Sequence, residues 1–209
     1  MASVCVHTIV RNGEDFIEQV ICAVLPYADR VLISVDENST DRTRAIVHGM
    51  KYAYPQIMID TFENKFPLTD IVKARNRQIE RTTEDWIWVV DSDEYYPKDV
   101  IEKIKLSEEF DVYTLQCWAV WDEKRIHKSS SRPHIARIFK NDGRRWEGRF
   151  GKEHFTKEGD RVKNLPLRYI HFTHIKKDKW RRELGMNRVA DAKFLSPMPL
   201  DIIHKIKNL

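Results

Sequence analysis

Cysteine is scarce in this chain: Cys5, Cys22 and Cys117 are the only three, odd in number and far apart. There is no CxxC pair and no zinc-type spacing, so neither a disulfide framework nor a zinc module is expected. The thiols read as buried groups in a reducing, cytoplasmic setting. Long hydrophobic runs are also missing, and nothing approaches the roughly 20 apolar residues of a membrane-spanning helix. No leader is expected, because the chain enters a strand-like run at once. The absence of GxGxxG and of GxxxxGK[ST] excludes a dinucleotide fingerprint and a P-loop. Neither charge dominates: 36 basic and 32 acidic residues leave +4, which excludes a nucleic-acid protein by bulk electrostatics. No internal repeat or low-complexity tract occurs.

What is present describes a folded chain. Of 209 residues, 42% are apolar and 11% aromatic, enough for one substantial core and too few for two. "SVCVHTIV" (3–10), "RVLISV" (30–35), "QIMIDTF" (56–62) and "WIWVV" (86–90) read as strands. Between them, Ile17, Val20, Ile21 and Val24 fall at helical spacing, as do Ile46, Val47 and Met50, and then Leu68, Ile71, Val72, Arg75 and Ile79. Ser39 or Thr40 is the expected N-cap of the second helix. The order βαβαβαβ with near-continuous apolar strands predicts a parallel sheet covered on both faces. Ligands of such sheets bind beyond the strand carboxyl ends. The polar segments "RNGED" (11–15), "DENSTD" (36–41) and "DSDE" (91–94) then meet in one crevice.

The second half is less regular. "VYTLQCWAVW" (112–121) alternates like an exposed or antiparallel strand, and "HIARIFK" (134–140) is another strand. Residues 178–195 are expected to be helical, and Pro197 and Pro199 to break the chain before an amphipathic tail. The basic run "HIKKDKWRR" (174–182) and the tail offer a peripheral contact with anionic lipid.

Carboxylates beside a buried run need neutralising. Asp91 and Asp93 present hard oxygens suited to Mn²⁺ or Mg²⁺, with phosphates completing the shell. The plainer reading is a solvated acidic turn at the start of the helix after Pro97. Asp36 and Glu37, at the second strand end, can accept from a ribose hydroxyl or a base N–H. On the helix before the acidic strand, Lys73, Arg75 and Asn76 should face solvent, yet Arg75 falls on the apolar stripe. An inward Arg is usually paired, and Asp91 or Asp93 is the expected partner.

"TIVRNGEDF…", "VDENSTDRT", "KARNRQ" and "DWIWVVDSDE" together resemble the nucleotide-sugar half of family 2 glycosyltransferases. The likeness extends to the branch holding lipopolysaccharide-core and prophage or viral enzymes. Gly13 shifts the acidic residue to Glu14, and Asn38 stands where Gly is usual. "RIFKNDGRRWEGRFGKEHF" (137–155) and "LRYIHF" (167–172) resemble the later motifs of that branch. The resemblance implies a single GT-A (Rossmann-like) α/β/α sandwich over 1–209, with a mostly parallel central sheet and an irregular mixed C-terminal part. Residues 1–97 would form the nucleotide-sugar half, and 98–209 the acceptor side with a C-terminal helix.

It also implies roles. Thr8 and Arg11 would line the base and ribose pocket. Asp36 and Glu37 would hold base and ribose, and Arg75 would sit near the nucleotide. Asp91 would reach the ribose or the metal, and Asp93 would ligate the metal. His171, with His174 as rival, would be the late metal or phosphate contact. Glu153 or Glu147 would be the catalytic base; an extra residue in "GRFGKE" leaves that choice open, with Glu153 favoured. Trp121, Trp146 and Phe150 are core residues or sugar-stacking platforms. The implied activity is inverting transfer from a nucleotide-diphosphate sugar, a UDP-sugar foremost, to a glycan, lipid-linked or protein acceptor. The competing readings are a nucleotidyltransferase, disfavoured by the single Gly in "TIVRNGED", and a catalytically silent nucleotide-binding or scaffold protein.

Overall fold

The structure, a computed structural model, describes residues 2–63, 71–122, 124–127, 134–148, 154–155, 157–172, 195–199 and 202. Glu153, His174, Phe150, the basic run 174–182, the helix expected across 178–195 up to residue 194, and the tail from 203 onward lie outside the described residues.

The expected alternation is found: β1 (Val4–Val10), α1 (Ile17–Val24), β2 (Arg30–Asp36), α2 (Thr43–Ala53), β3 (Ile57–Phe62), α3 (Ile71–Glu80) and β4 (Trp86–Val89). The chain continues through β5 (Glu94–Tyr95), α4 (Lys98–Ile101), β6 (Val112–Ala119), β7 (Arg125–His127), β8 (Ile135–Lys140), β9 (Val162–His171) and β10 (Leu195–Pro197). Among the described residues, eight strands form one sheet in the order β3-β2-β1-β4-β8-β6-β9-β5. β1 to β4 are parallel neighbours. β8 runs antiparallel to both β4 and β6, β6 pairs with β9 in parallel, and β5 is antiparallel to β9. This is the mixed α/β sheet that the sequence predicts. No helix among the described residues is long and apolar enough to cross a membrane.

α1 forms where its stripe requires: Ile17, Val20, Ile21 and Val24 are all buried. β4 is buried at every position, as a strand with helices on both faces must be. Several expectations are corrected. α2 begins at Thr43, and neither Ser39 nor Thr40 caps it; its N-cap position is Arg42, without a side-chain cap. The Asp41 carboxylate instead accepts from the Thr43 amide. β6, read as exposed or antiparallel, is antiparallel to β8 and is interior, because β8 and β9 flank it. Pro197 does not break the chain: it sits in β10, paired with Arg125 of β7.

α3 buries Ala74, Gln78 and Ile79, while Ile71 and Val72 are only half-buried. Gln78 is the reason the face rotates. Its amide donates to the carbonyls of Thr8 (2.8 Å) and Leu32 (3.1 Å), fastening α3 to β1 and β2. That turn of the helix brings Arg75 and Asn76 toward the C-terminal strand ends.

His7 on β1 is fully buried, and its Nε2 lies 2.7 Å from the Thr82 hydroxyl. Thr82 donates its own proton to the Gln78 carbonyl, so His7 donates through Nε2 and its Nδ1 is left bare. Burial, with Arg75 adding to it, pushes the imidazole pKa down to about 3. Between pH 6.5 and 3 the unfolded chain therefore binds a proton that the folded chain refuses, so stability falls as pH falls. In chemical denaturation, the stability of the wild type relative to His7→Gln should shrink by up to about 1.4 kcal/mol per pH unit below 6.5. A difference that does not change with pH would mean that His7 titrates normally.

Candidate active site

The loops after β1 and β2 are bound to each other at the carboxyl end of the sheet. Arg11 Nη1 lies 3.7 Å from Asp36 Oδ2. Asn12, with a left-handed φ of 48°, accepts from the Thr40 amide through its side-chain oxygen at 2.8 Å. The Gly13 amide donates to Thr43 Oγ1 at 2.7 Å, and the Glu14 amide to Asp41. Gly13 is packed so closely that a Cβ there would meet Val10 Cγ2 at 2.5 Å, with Ser92 of the acidic turn just beyond. Three polar segments thus adjoin, as their positions at strand ends predict.

Asp36 is fully buried and also accepts from the Asn38 amide, so it is fixed in the loop. Glu37 beside it is exposed. Thr8 is placed differently from the expectation. Its hydroxyl donates to the Val90 carbonyl inside the sheet, and the residue has no exposed surface to line a pocket with.

The acidic turn is not a solvated cap. Glu94 is fully buried, and Ser92 and Asp93 are nearly so. Arg75 Nη2 donates to Asp91 Oδ1 at 2.8 Å, the pairing expected from its inward position. A second guanidinium, Arg137 of β8, lies 3.3 Å from Asp91 Oδ2 and is hydrogen-bonded to Glu94 Oε1. Arg137 also donates to the Tyr169 hydroxyl. Burial opposes the Asp91 charge, but Arg137 and Arg75 together hold its carboxyl well below the usual range. Burial pushes Glu94 the other way, up to about 7, against the pull of Arg137. Asp91, expected to reach the ribose or the metal, meets a guanidinium group with each of its oxygens.

Asp93 and His171 are the pair left facing each other, with His171 Nε2 3.6 Å from Asp93 Oδ1. β5–β9 pairing puts them there, since Glu94 is opposite His171 in the ladder. Burial disfavours the imidazolium, but Asp93 overcomes it and raises the His171 pKa to about 10. No cluster of three or more His, Cys, Asp or Glu arranged for a metal occurs among the described residues. Asp93 and His171 fit an open set of two ligands, the rest of whose shell would be phosphate and water oxygens. His171 would have to lose its proton to join it.

The 141–148 segment reaches the same region from the second half of the chain. Asn76 donates to the Trp146 carbonyl at 3.0 Å and accepts from its amide at 2.8 Å. Trp146 in turn lies under Arg75, whose Cζ is 4.7 Å from the ring centroid. Trp146 packs on Phe155 and Phe139, and Trp121 is buried as well, which is the core reading of both tryptophans. Glu147 pairs through its backbone with His154 and is 76% exposed, with Oε2 3.8 Å from His154 Nε2.

Arg137 is the residue that sequence reasoning missed. The available signal was a lone cation inside the otherwise apolar "HIARIF", beside a strand that ends in carboxylates. Removing it should leave Glu94 buried without compensation and Asp91 with Arg75 as its one guanidinium partner among the described residues. Arg137→Met is expected to cost about 3–5 kcal/mol in denaturant unfolding. Arg137→Lys should recover only part, because one ammonium cannot serve both carboxylates and Tyr169. A loss below about 1 kcal/mol for Arg137→Met would contradict this account.

No curated protein is detectably similar to the chain. Among solved structures, S. aureus TarS 1–349 in complex with UDP-GlcNAc is 16% identical, with a TM-score of 0.55 over 90% of this chain and 60% of that one. S. aureus TarS 1–349 gives 15% identity and a TM-score of 0.53 over 88% and 64%. The mannosyltransferase PcManGT from Pyrobaculum calidifontis, in complex with GDP-Man and Mn²⁺, gives 13% identity and a TM-score of 0.60 over 81% and 56%. This chain therefore spans less than two thirds of each of these proteins. At such identities the likeness is one of fold, the GT-A arrangement of a mostly parallel sheet continued by antiparallel strands. Residues 5–175 match the domain described as glycosyl transferase family 2, and with most of its length inside that match the chain belongs to this family.

Proposed function

We propose that this chain is an inverting, metal-dependent glycosyltransferase. It moves a sugar from a nucleoside-diphosphate sugar, a UDP-sugar foremost, to a hydroxyl of a glycan, lipid-linked or protein acceptor. The observation that carries the reading is the buried acidic turn at the end of β4. Guanidinium groups hold Asp91 and Glu94 there, while Asp93 and His171 stay paired beside the loops of Arg11 and Asp36. The donors named with TarS and with the mannosyltransferase, UDP-GlcNAc and GDP-Man, and the Mn²⁺ of the latter, support the same class. The motif order Arg11-Asn12, Asp36, Arg75-Asn76 and Asp91-Ser92-Asp93-Glu94 supports the lipopolysaccharide-core and prophage branch. All 209 residues act as one domain in this reading.

In this mechanism the acceptor oxygen bonds to the anomeric carbon from the face opposite the diphosphate. The sugar–phosphate bond breaks, and its electron pair leaves with the nucleoside diphosphate. Asp36 and Arg11 hold base and ribose. Arg75 sets positive charge where the diphosphate charge develops, which stabilises the transition state electrostatically, and His171 would add to it only while protonated and free of metal. A divalent cation held by Asp93 and His171 would supply further charge neutralisation. The acceptor proton passes to a carboxylate of the 147–153 segment, with Glu153 favoured over Glu147.

A thermal-shift panel of UDP, GDP and their sugars, with and without Mn²⁺, tests the reading. A ligand at about 100 times its Kd adds roughly 2.7 kcal/mol, so true binding should be visible. One nucleotide should raise the melting temperature, more so with Mn²⁺, and Asp93→Ala should lose the metal-dependent part alone. Silence across the whole panel would favour a scaffold protein instead. Once a donor is known, Glu153→Gln should lower kcat by about 10²-fold or more with little change in donor affinity. If Glu147→Gln does so instead, the base is reassigned.

A further inference from the structure

The Arg75–Trp146 contact contains more hydrogen-bond donors than the protein satisfies. Arg75 uses Nη2 on Asp91, and its Nε and Nη1 have no acceptor among the described residues. Trp146 Nε1 has none either, although the residue is only 7% exposed. Enclosed N–H groups without an acceptor are costly, and a cluster of three from two stacked side chains is not accounted for by packing. Indole and guanidinium N–H groups only donate, so whatever satisfies them must bring oxygen.

The contact is also deliberately held. Asn76 clamps the Trp146 backbone from both sides, as a neighbouring strand would, across 70 positions of sequence. Arg145 adds a bond from Nη1 to the Asn76 carbonyl at 3.3 Å and an ion pair with Glu80 at 2.8 Å. α3 thereby fixes both members, Arg75 as its own residue and Trp146 through the next one. The site adjoins Asp91 at the strand ends, where the sheet geometry places ligands.

We propose that Arg75 and Trp146, positioned by Asn76, form a donor-only subsite that takes a phosphate oxygen of the nucleotide substrate. Phosphate is favoured over a neutral hydroxyl because a guanidinium edge binds an anionic oxygen in a short, charge-assisted bond. Asp91 already accepts from Nη2 of Arg75, so the ligand and the carboxylate would share one guanidinium. The donors are enclosed, so entry of the oxygen has to shift the indole, and Trp146 fluorescence should report it. This deepens the glycosyltransferase reading and rests on it for the choice of nucleotide.

The test compares pyrophosphate, UDP and uridine (or GDP and guanosine, should the panel select guanine) as ligands of the full chain. Trp146→Phe keeps the ring and removes the N–H; Asn76→Ala removes the clamp. Should Asn76→Ala fail to fold, Asn76→Asp keeps the acceptor and loses the donor. Each variant should weaken UDP and pyrophosphate about tenfold, as loss of a charge-assisted site does, and leave uridine within about twofold. In Trp146→Phe, the emission change on binding should also vanish. Unchanged affinity of Trp146→Phe for UDP and pyrophosphate would overturn the subsite. So would equal weakening of uridine. If the wild type binds pyrophosphate through Trp146 but no nucleotide, the subsite stands and the glycosyltransferase reading falls. Binding of neither removes both.

Discussion

Carboxylates at the end of a buried strand require cations that are buried with them, and β8 delivers one. Arg137 contacts Asp91, Glu94 and Tyr169 at once. The acidic turn can leave solvent only because this guanidinium and that of Arg75 are already inside. Everything nearby follows from that neutralisation. Glu94 stays under the turn and accepts from the Asp91 amide, β5 pairs with β9, and the pairing puts His171 beside Asp93. One charge from the second half of the chain thus orders the most important loop of the first half.

The two sides of the site are built by different means. In the first half the backbone is fixed by the left-handed Asn12, the crowded Gly13, and the Asp41 carboxylate at the start of α2. In the second half, Asn76 holds Trp146 across 70 positions of sequence, and buried Arg144 is held by Asp142 close by and by Asp160. The backbone turns at Asn12 and Gly13 are local, although their hydrogen bonds cross to Thr40 and Thr43. The Asn76–Trp146 clamp exists only once α3 and the 141–148 segment have packed.

That difference decides what could be read from the sequence. The parallel half was legible because each element carries its own signal: the stripe of α1, the unbroken apolar run of β4, the polar segments at the strand ends. The inward position of Arg75 followed from helical spacing, and a partner in Asp91 or Asp93 from the cost of burying a guanidinium unpaired; the structure chooses Asp91. The N-cap of α2 was misplaced because three polar residues in "STD" satisfy the same rule and only tertiary contacts choose among them. The face of α3 was misjudged because Gln78 is polar and yet buried, against two strand carbonyls that no local pattern reveals. For β6 the alternation reads as exposed or antiparallel; it is antiparallel to β8 but interior, since alternation looks the same whether the polar face meets water or other residues. Arg137 and the Asn76–Trp146 clamp stayed hidden for the same reason, since each is defined by a partner dozens of residues away.

The sheet order has a consequence for chain length. β4 and β5 are joined by only the few residues of the acidic turn, yet β8, β6 and β9 lie between them. Four strand spacings of about 4.8 Å amount to about 19 Å along a flat sheet. Five residue steps from Val89 to Glu94 reach roughly 17 Å fully extended. A turn cannot be fully extended, so the sheet must curl until its edge comes back toward its centre. The acidic segment is then a tie across that curl, and it holds its carboxylates against Arg137.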